Sequence, residues 1–103
     1  MITSTEKIGN RMVIRVLKNI DDLKTGEDFK IALMELYTKG EKEIIIDFGD
    51  TNLINSHGIG KILMFYRRFK GIGGKIYVAP LNDSIREIFE PLMLDKLIPE
   101  IKL

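Results

Sequence analysis

Three consecutive isoleucines, Ile44, Ile45 and Ile46, stand between Glu43 and the pair Asp47-Phe48. A strand with one wet face alternates apolar and polar residues. An unbroken apolar run reads instead as a strand buried on both faces, as strands are in a parallel sheet. Parallel neighbours cannot be joined by a tight turn and need crossovers, usually helices.

The flanking sequence supplies those helices. Phe29, Ala32, Leu33, Leu36 and Tyr37 recur at steps of three and four, one face of an amphipathic helix that Lys39-Gly40 closes. Its start is read at Thr25, with Asp28 answering it as a capping box. A second stripe, Ile59, Ile62, Leu63, Tyr66 and Phe69, predicts a helix that stops at Gly71 to Gly74. Asn82 or Ser84 caps a third. Strands are expected at Met12–Leu17, Glu43–Phe48 and Lys75–Ala79, with a weaker one at Thr3–Lys7 joined to the next through Gly9-Asn10. Leu53 and Ile54 re-enter the core. Leu97–Ile101 reads as a last edge strand, because Pro99 fits poorly in a central one. The fold class is therefore α/β: a mixed, mostly parallel sheet of four to five strands with helices packed against it. At 103 residues, with no repeat and no composition shift, the chain reads as a single domain spanning 1–103.

Composition narrows the function. Sixteen basic residues nearly cancel fifteen acidic ones, leaving a formal net charge of +1. A nucleic-acid binder usually carries a concentrated basic excess, so direct nucleic-acid binding is not expected. Arg67, Arg68 and Lys70 read as a solvated helix face. There is no cysteine, which removes thiolate chemistry and the commonest zinc ligands. The N-terminal residues lack a signal-peptide pattern, and no apolar run approaches the roughly 20 residues of a membrane span. By elimination, the expected location is cytoplasmic.

Catalytic constellations are thin. The one histidine, His57, adjoins Ser56, but sequence neighbours at a helix start seldom face each other as a nucleophile and base must. One histidine and scattered carboxylates give no metal-ligand spacing. Asp21, Asp22, Asp47 and Asp50 read as capping and turn residues. Gly58, Gly60 and the glycines of 71–74 fall at a helix start and a helix end, the wrong order for a phosphate loop. Neither an enzyme, a cofactor nor a metal is expected.

The junction Ile44 to Gly60 remains. It sets a serine hydroxyl at a helix N-terminus, just past the carboxyl end of a buried strand, the edge where open α/β sheets tend to build sites. Unsatisfied amides and the helix dipole favour negative charge there. Asn55 and Ser56 are two N-cap candidates in a row. On the residues alone, Ser56 reads first as a cap.

This stretch, Ile44 through Asp47 and Asn55-Ser56-His57-Gly58-Ile59-Gly60, resembles the STAS domain of anti-sigma factor antagonists. The family pattern is an apolar strand, an Asp, a short loop, then Asp-Ser-x-Gly-x-Gly opening a helix. Asp47 matches the strand-end acid, Ser56 the phosphorylatable serine, and Gly58 and Gly60 the glycine signature. The likeness continues through Phe69–Lys75, through Ile85–Phe89 and Leu94–Ile98 (third helix and last strand), and, degraded, through Arg15–Asp21. It implies a partner-switching regulator of transcription. The unmodified protein binds an anti-sigma factor that is a serine kinase, phosphorylation of Ser56 breaks the complex, and a phosphatase resets it. Asp21, Asn55, His57 and Gly58 would wall the site. Asn55 replaces the family acid, the second-strand glycine is lost near Lys18-Asn19, and many relatives have a further helix beyond the position of Leu103. These departures point to the alternative of a non-phosphorylated STAS scaffold or subunit of a signalling or lipid-transport assembly.

Overall fold

The computed structural model describes residues 2–103. β1 (Thr3–Ile8) and β2 (Arg11–Val16) form an antiparallel hairpin in which Ile8 pairs with Arg11. The two-residue turn is Gly9-Asn10, and Gly9 takes a φ of 61°, the left-handed conformation such turns require at their first position. The weak first strand is thus a full six-residue partner. α1 (Leu23–Thr38) follows, then β3 (Glu43–Asp47), α2 (Ser56–Gly71), β4 (Lys75–Val78), α3 (Asp83–Phe89) and the single turn α4 (Leu94–Leu97). The sheet order is β1-β2-β3-β4, with β2, β3 and β4 parallel: Ile14 sits beside Ile46, and Ile44 beside Ile76.

The isoleucine run behaves as its lack of alternation predicts. Ile44 and Ile46 face the helices and join Ile14, Val16, Ile76 and Val78 beneath Phe29, Leu33, Ile62, Phe65, Phe69, Ile85 and Phe89. Ile45 points the other way into a smaller cluster with Val13 and Ala79, flanked by Tyr77 and Ile101. Among the described residues, no helix contributes to that second cluster. It is closed by long side chains on the same face: Arg11 lies over the Tyr77 ring at 5.3 Å, and Arg15 reaches Glu6 at 2.8 Å and Asp47 at 3.6 Å. The Arg68 guanidinium lies over Tyr37 and Phe65, and the Lys70 ammonium over Tyr66, so these cations of the basic helix face rest on aromatic rings.

Four expectations need correction. α1 is capped by Asp22, not Thr25. The Asp22 carboxylate accepts from the Thr25 amide at 2.8 Å, and Thr25 supplies the reciprocal bond, its Oγ1 accepting from the Asp22 amide at 3.3 Å. The capping box runs one turn earlier because a carboxylate is there to accept. The last edge strand is absent. Residues 94–97 form α4, and the tail then makes one parallel bridge, with the Val78 amide donating to Pro99 and the Ile101 amide to Val78. Pro99 has no N–H with which to extend the ladder. Ile54 enters the core but Leu53 stays 46% exposed. Finally, Phe65 is fully buried in α2, whose inner face runs Gly58, Ile62, Phe65, Phe69. The third helix cap is Asn82, the first of its two candidates. Among the described residues, no helix is long and apolar enough to cross a membrane.

Candidate functional site

Past the ends of β2 and β3 the two segments leaving them touch once more. The Ile20 amide donates to the Leu53 carbonyl at 2.9 Å, and the Asn55 amide donates to the Ile20 carbonyl at 2.7 Å. This bridge brings the N-termini of α1 and α2 side by side. The Asn55 Nδ2 reaches the Asp22 carbonyl at 3.5 Å, and a Cβ built on Gly26 would stand 3.5 Å from the His57 Cβ. The first turn of each helix is therefore in van der Waals reach of the other.

Asn55 caps α2. Its Oδ1 accepts from the Gly58 amide at 2.9 Å, with an extended backbone at the cap position. Ser56 is consequently the first residue inside the helix, and its exposed hydroxyl is not consumed by capping. His57 is exposed beside it, and Asp21 is exposed across the bridge. The amides of the first helical residues have no intrahelical acceptor, so the surface around Ser56 carries partial positive charge.

Gly58 plays a different part from the other motif residues. It is buried, and a Cβ on it would lie 2.6 Å from Ile54 Cγ2 and 2.9 Å from Ile20 Cγ2. It lets the helix start sit directly on the Ile20–Ile54 bridge. A Cβ on Gly60 would meet nothing within 4 Å. Asp47, the strand-end acid, is not gathered with Ser56. It stands on the sheet face opposite the helices, paired with Arg15 in register, and accepts from the Gly49 amide at 2.8 Å to shape the turn leaving β3.

The site's surroundings are apolar and acidic. Leu23, the first residue of α1, is 64% exposed, and Leu53, on the approach to α2, is 46% exposed. The Asp22 carboxyl is held below its ordinary value, first by the Thr25 backbone N–H and then by the Thr25 hydroxyl, so it stays charged. Three further polar residues support the loop between β3 and α2. Asn19, Thr51 and Asn82 hydrogen-bond to its backbone or anchor it to β2. Their signal in sequence is no more than Asx and Thr residues in loops, which is too common to single them out.

A family model described as the STAS domain matches residues 3–103. The chain belongs to the STAS domain family. BtrV of Bordetella bronchiseptica, provisionally named an anti-sigma factor antagonist, is 25% identical over 79 residues, covering 77% of this STAS chain and 68% of BtrV. Among solved structures, a Thermotoga maritima protein with the same provisional name superposes with a TM-score of 0.88 at 17% identity, covering 98% of this chain and 86% of that one. The Bacillus cell fate determinant SpoIIAA, in its phosphorylated form, gives 0.74 at 19% identity over 97% of this chain and 91% of its own. This STAS chain thus resembles anti-sigma factor antagonists in sequence and shares their fold.

Proposed function

We propose that this STAS domain, spanning the whole chain, is a cytoplasmic anti-sigma factor antagonist whose binding is switched by phosphorylation of Ser56. The observation that carries the reading is the division of labour between Asn55 and Ser56. Asn55 caps α2, which leaves the Ser56 hydroxyl exposed and free for chemistry. The family match and the named relatives support an anti-sigma factor as the partner class; in this reading that partner is also a serine kinase, and a phosphatase resets the switch.

In this reading the domain is a substrate and a ligand, not a catalyst. The Ser56 oxygen attacks the terminal phosphorus of ATP held by the kinase, the bond to the ADP oxygen breaks, and the hydroxyl proton passes to a base on the kinase. Free amides and the helix dipole at α2 tolerate the phosphate within its own protein. Its effect falls on the partner. About −1.5 to −2 charge arrives at the paired helix starts that also carry the exposed Leu23, Leu53, Asp21 and Asp22. A partner packed on those leucines must desolvate a dianion to stay bound, and losing a few kcal/mol weakens an interface by orders of magnitude. Asp21, Asn55 and His57 line this surface, and Gly58 beneath fixes its shape.

Intact mass after incubation with ATP and the kinase-type anti-sigma factors of the source organism tests the reading. One added phosphate on the wild type and none on Ser56→Ala is the expected result. No phosphate from any active kinase on the folded protein would overturn it in favour of a scaffold role.

A further inference from the structure

The loop that delivers Ser56 to the surface, residues 48–55, is held largely by side chains from elsewhere. Its one internal turn has the Thr51 amide donating to the Phe48 carbonyl at 2.9 Å. Asn82 Nδ2 closes on both ends of that turn, donating to the Phe48 carbonyl at 3.3 Å and the Thr51 carbonyl at 2.8 Å. Asn19 Oδ1 takes the next two amides, Asn52 at 2.8 Å and Leu53 at 3.3 Å. Thr51 is fully buried and directs its hydroxyl at the carbonyls of Val16 and Lys18, each 3.2 Å away.

Asn82 differs from the other two because its amide does two jobs. Its Oδ1 accepts from the Ile85 amide at 2.9 Å and caps α3. An N–H on one side and two carbonyls on the other leave only one orientation of the amide that satisfies all three. The α3 start and the Ser56 loop are therefore joined through one planar group.

We propose that Asn82 is a positioning residue for Ser56, coupling the N-terminus of α3 to the loop that presents the hydroxyl. The functional consequence rests on the Ser56 reading above; the restraint on the loop does not. A kinase must find the Ser56 oxygen in line with the phosphorus it transfers, and a misplacement of about 1 Å is costly in such a reaction. Holding the turn before the α2 cap holds the first turn of α2 in place.

The two jobs can be separated. Asn82→Asp keeps an acceptor for the Ile85 amide, so the cap survives, but sets a second oxygen against the two loop carbonyls. Asn82→Ser keeps a neutral cap and is too short to span both carbonyls. Residue-resolved amide exchange on the wild type and both variants reads the loop directly. The amides of Thr51, Asn52 and Leu53 are expected to exchange about tenfold faster, with those of Ile85, Arg86 and β3 unchanged. Unchanged loop exchange, or loop, α3 and β3 all accelerating alike as in a general loss of stability, overturns the local restraint. If Asn82→Asp does not fold, the serine variant decides alone. Phosphate transfer to Ser56 is the second readout, expected to lose about tenfold in kcat/KM, the scale of a lost hydrogen bond. Normal transfer on a loosened loop overturns the positioning role. No transfer to the wild type overturns the Ser56 reading instead, while the exchange result still decides whether Asn82 restrains the loop.

Discussion

A Cβ on Gly58 would stand 2.6 Å from Ile54 Cγ2, with Ile20 Cγ2 2.9 Å away on the other side. Both isoleucines are buried in the bridge that joins the ends of β2 and the β3–α2 loop. One or both of these buried methyls must shift to admit a Cβ there. Gly58→Ala is therefore expected to destabilise the fold by about 1–3 kcal/mol, the usual cost of overpacking. Gly60→Ala is expected to do the opposite. It adds a methyl into open space inside α2, where alanine exceeds glycine by about 0.5–1 kcal/mol. Urea unfolding of the two variants checks the contrast, and equal effects would show that the glycines share one role.

The division between Asn55 and Ser56 makes a second contrast. Asn55 Oδ1 satisfies the Gly58 amide, which alanine would leave without a side-chain acceptor. Asn55→Ala is expected to cost about 1 kcal/mol. Ser56→Ala removes a hydroxyl that caps nothing and is expected to stay within about 0.5 kcal/mol of wild type. Thermal or urea unfolding of both is sufficient. A costly Ser56→Ala would mean the hydroxyl is structural, and would weaken its assignment to a switch.

The sheet and helices were legible in the sequence because their signals are periodic. The isoleucine run announced a strand buried on two faces, and the stripes of α1 and α2 announced helices between parallel strands. Single hydrogen bonds carry no period, and the sequence does not display them. Asp22 and Thr25 are both acceptable helix-start residues, and only geometry shows that the carboxylate takes the cap. Ser56 likewise reads first as a cap in sequence, and only the Asn55 Oδ1 contact gives the cap to Asn55. Leu97–Ile101 had strand composition, yet Leu94 is buried from a helical turn and Pro99 limits the tail to one bridge. The site's residue types were visible as a motif. What was hidden was its support, since Asn19, Thr51 and Asn82 act across more than thirty positions of sequence.

Asp22 links the fold to pH. Its carboxyl is held below the ordinary value by the Thr25 amide and then the Thr25 hydroxyl. A depressed folded-state pKa stabilises the protein at pH values above the unfolded-state pKa, about 3.9 for an aspartate, and that stabilisation fades as pH falls through the folded value. Asp22→Asn keeps a competent cap that does not titrate. The stability gap between wild type and Asp22→Asn is therefore expected to be constant from neutral pH down to about pH 5, then to shift against the wild type as the solution is made more acidic. Urea midpoints for the pair between roughly pH 6 and pH 2 read this out, and a gap that does not change with pH would rule it out.

Charge at position 56 should act on the partner rather than on the fold. An aspartate there sits in the first turn of α2, where a negative charge gains about 0.3–1 kcal/mol from the helix dipole. The neighbouring Asp21 and Asp22 oppose that gain, so Ser56→Asp is expected to unfold close to wild type. On a partner seated over Leu23 and Leu53, the same carboxylate must be desolvated beside exposed apolar side chains. Affinity for a kinase-type anti-sigma factor is expected to fall by about tenfold or more, a loss of roughly 1.4 kcal/mol or greater, while Ser56→Ala binds as wild type. Isothermal titration of the three proteins against one anti-sigma factor separates the cases. If aspartate and alanine bind equally well, charge at Ser56 does not govern the interface, and the switch must lie elsewhere on the surface.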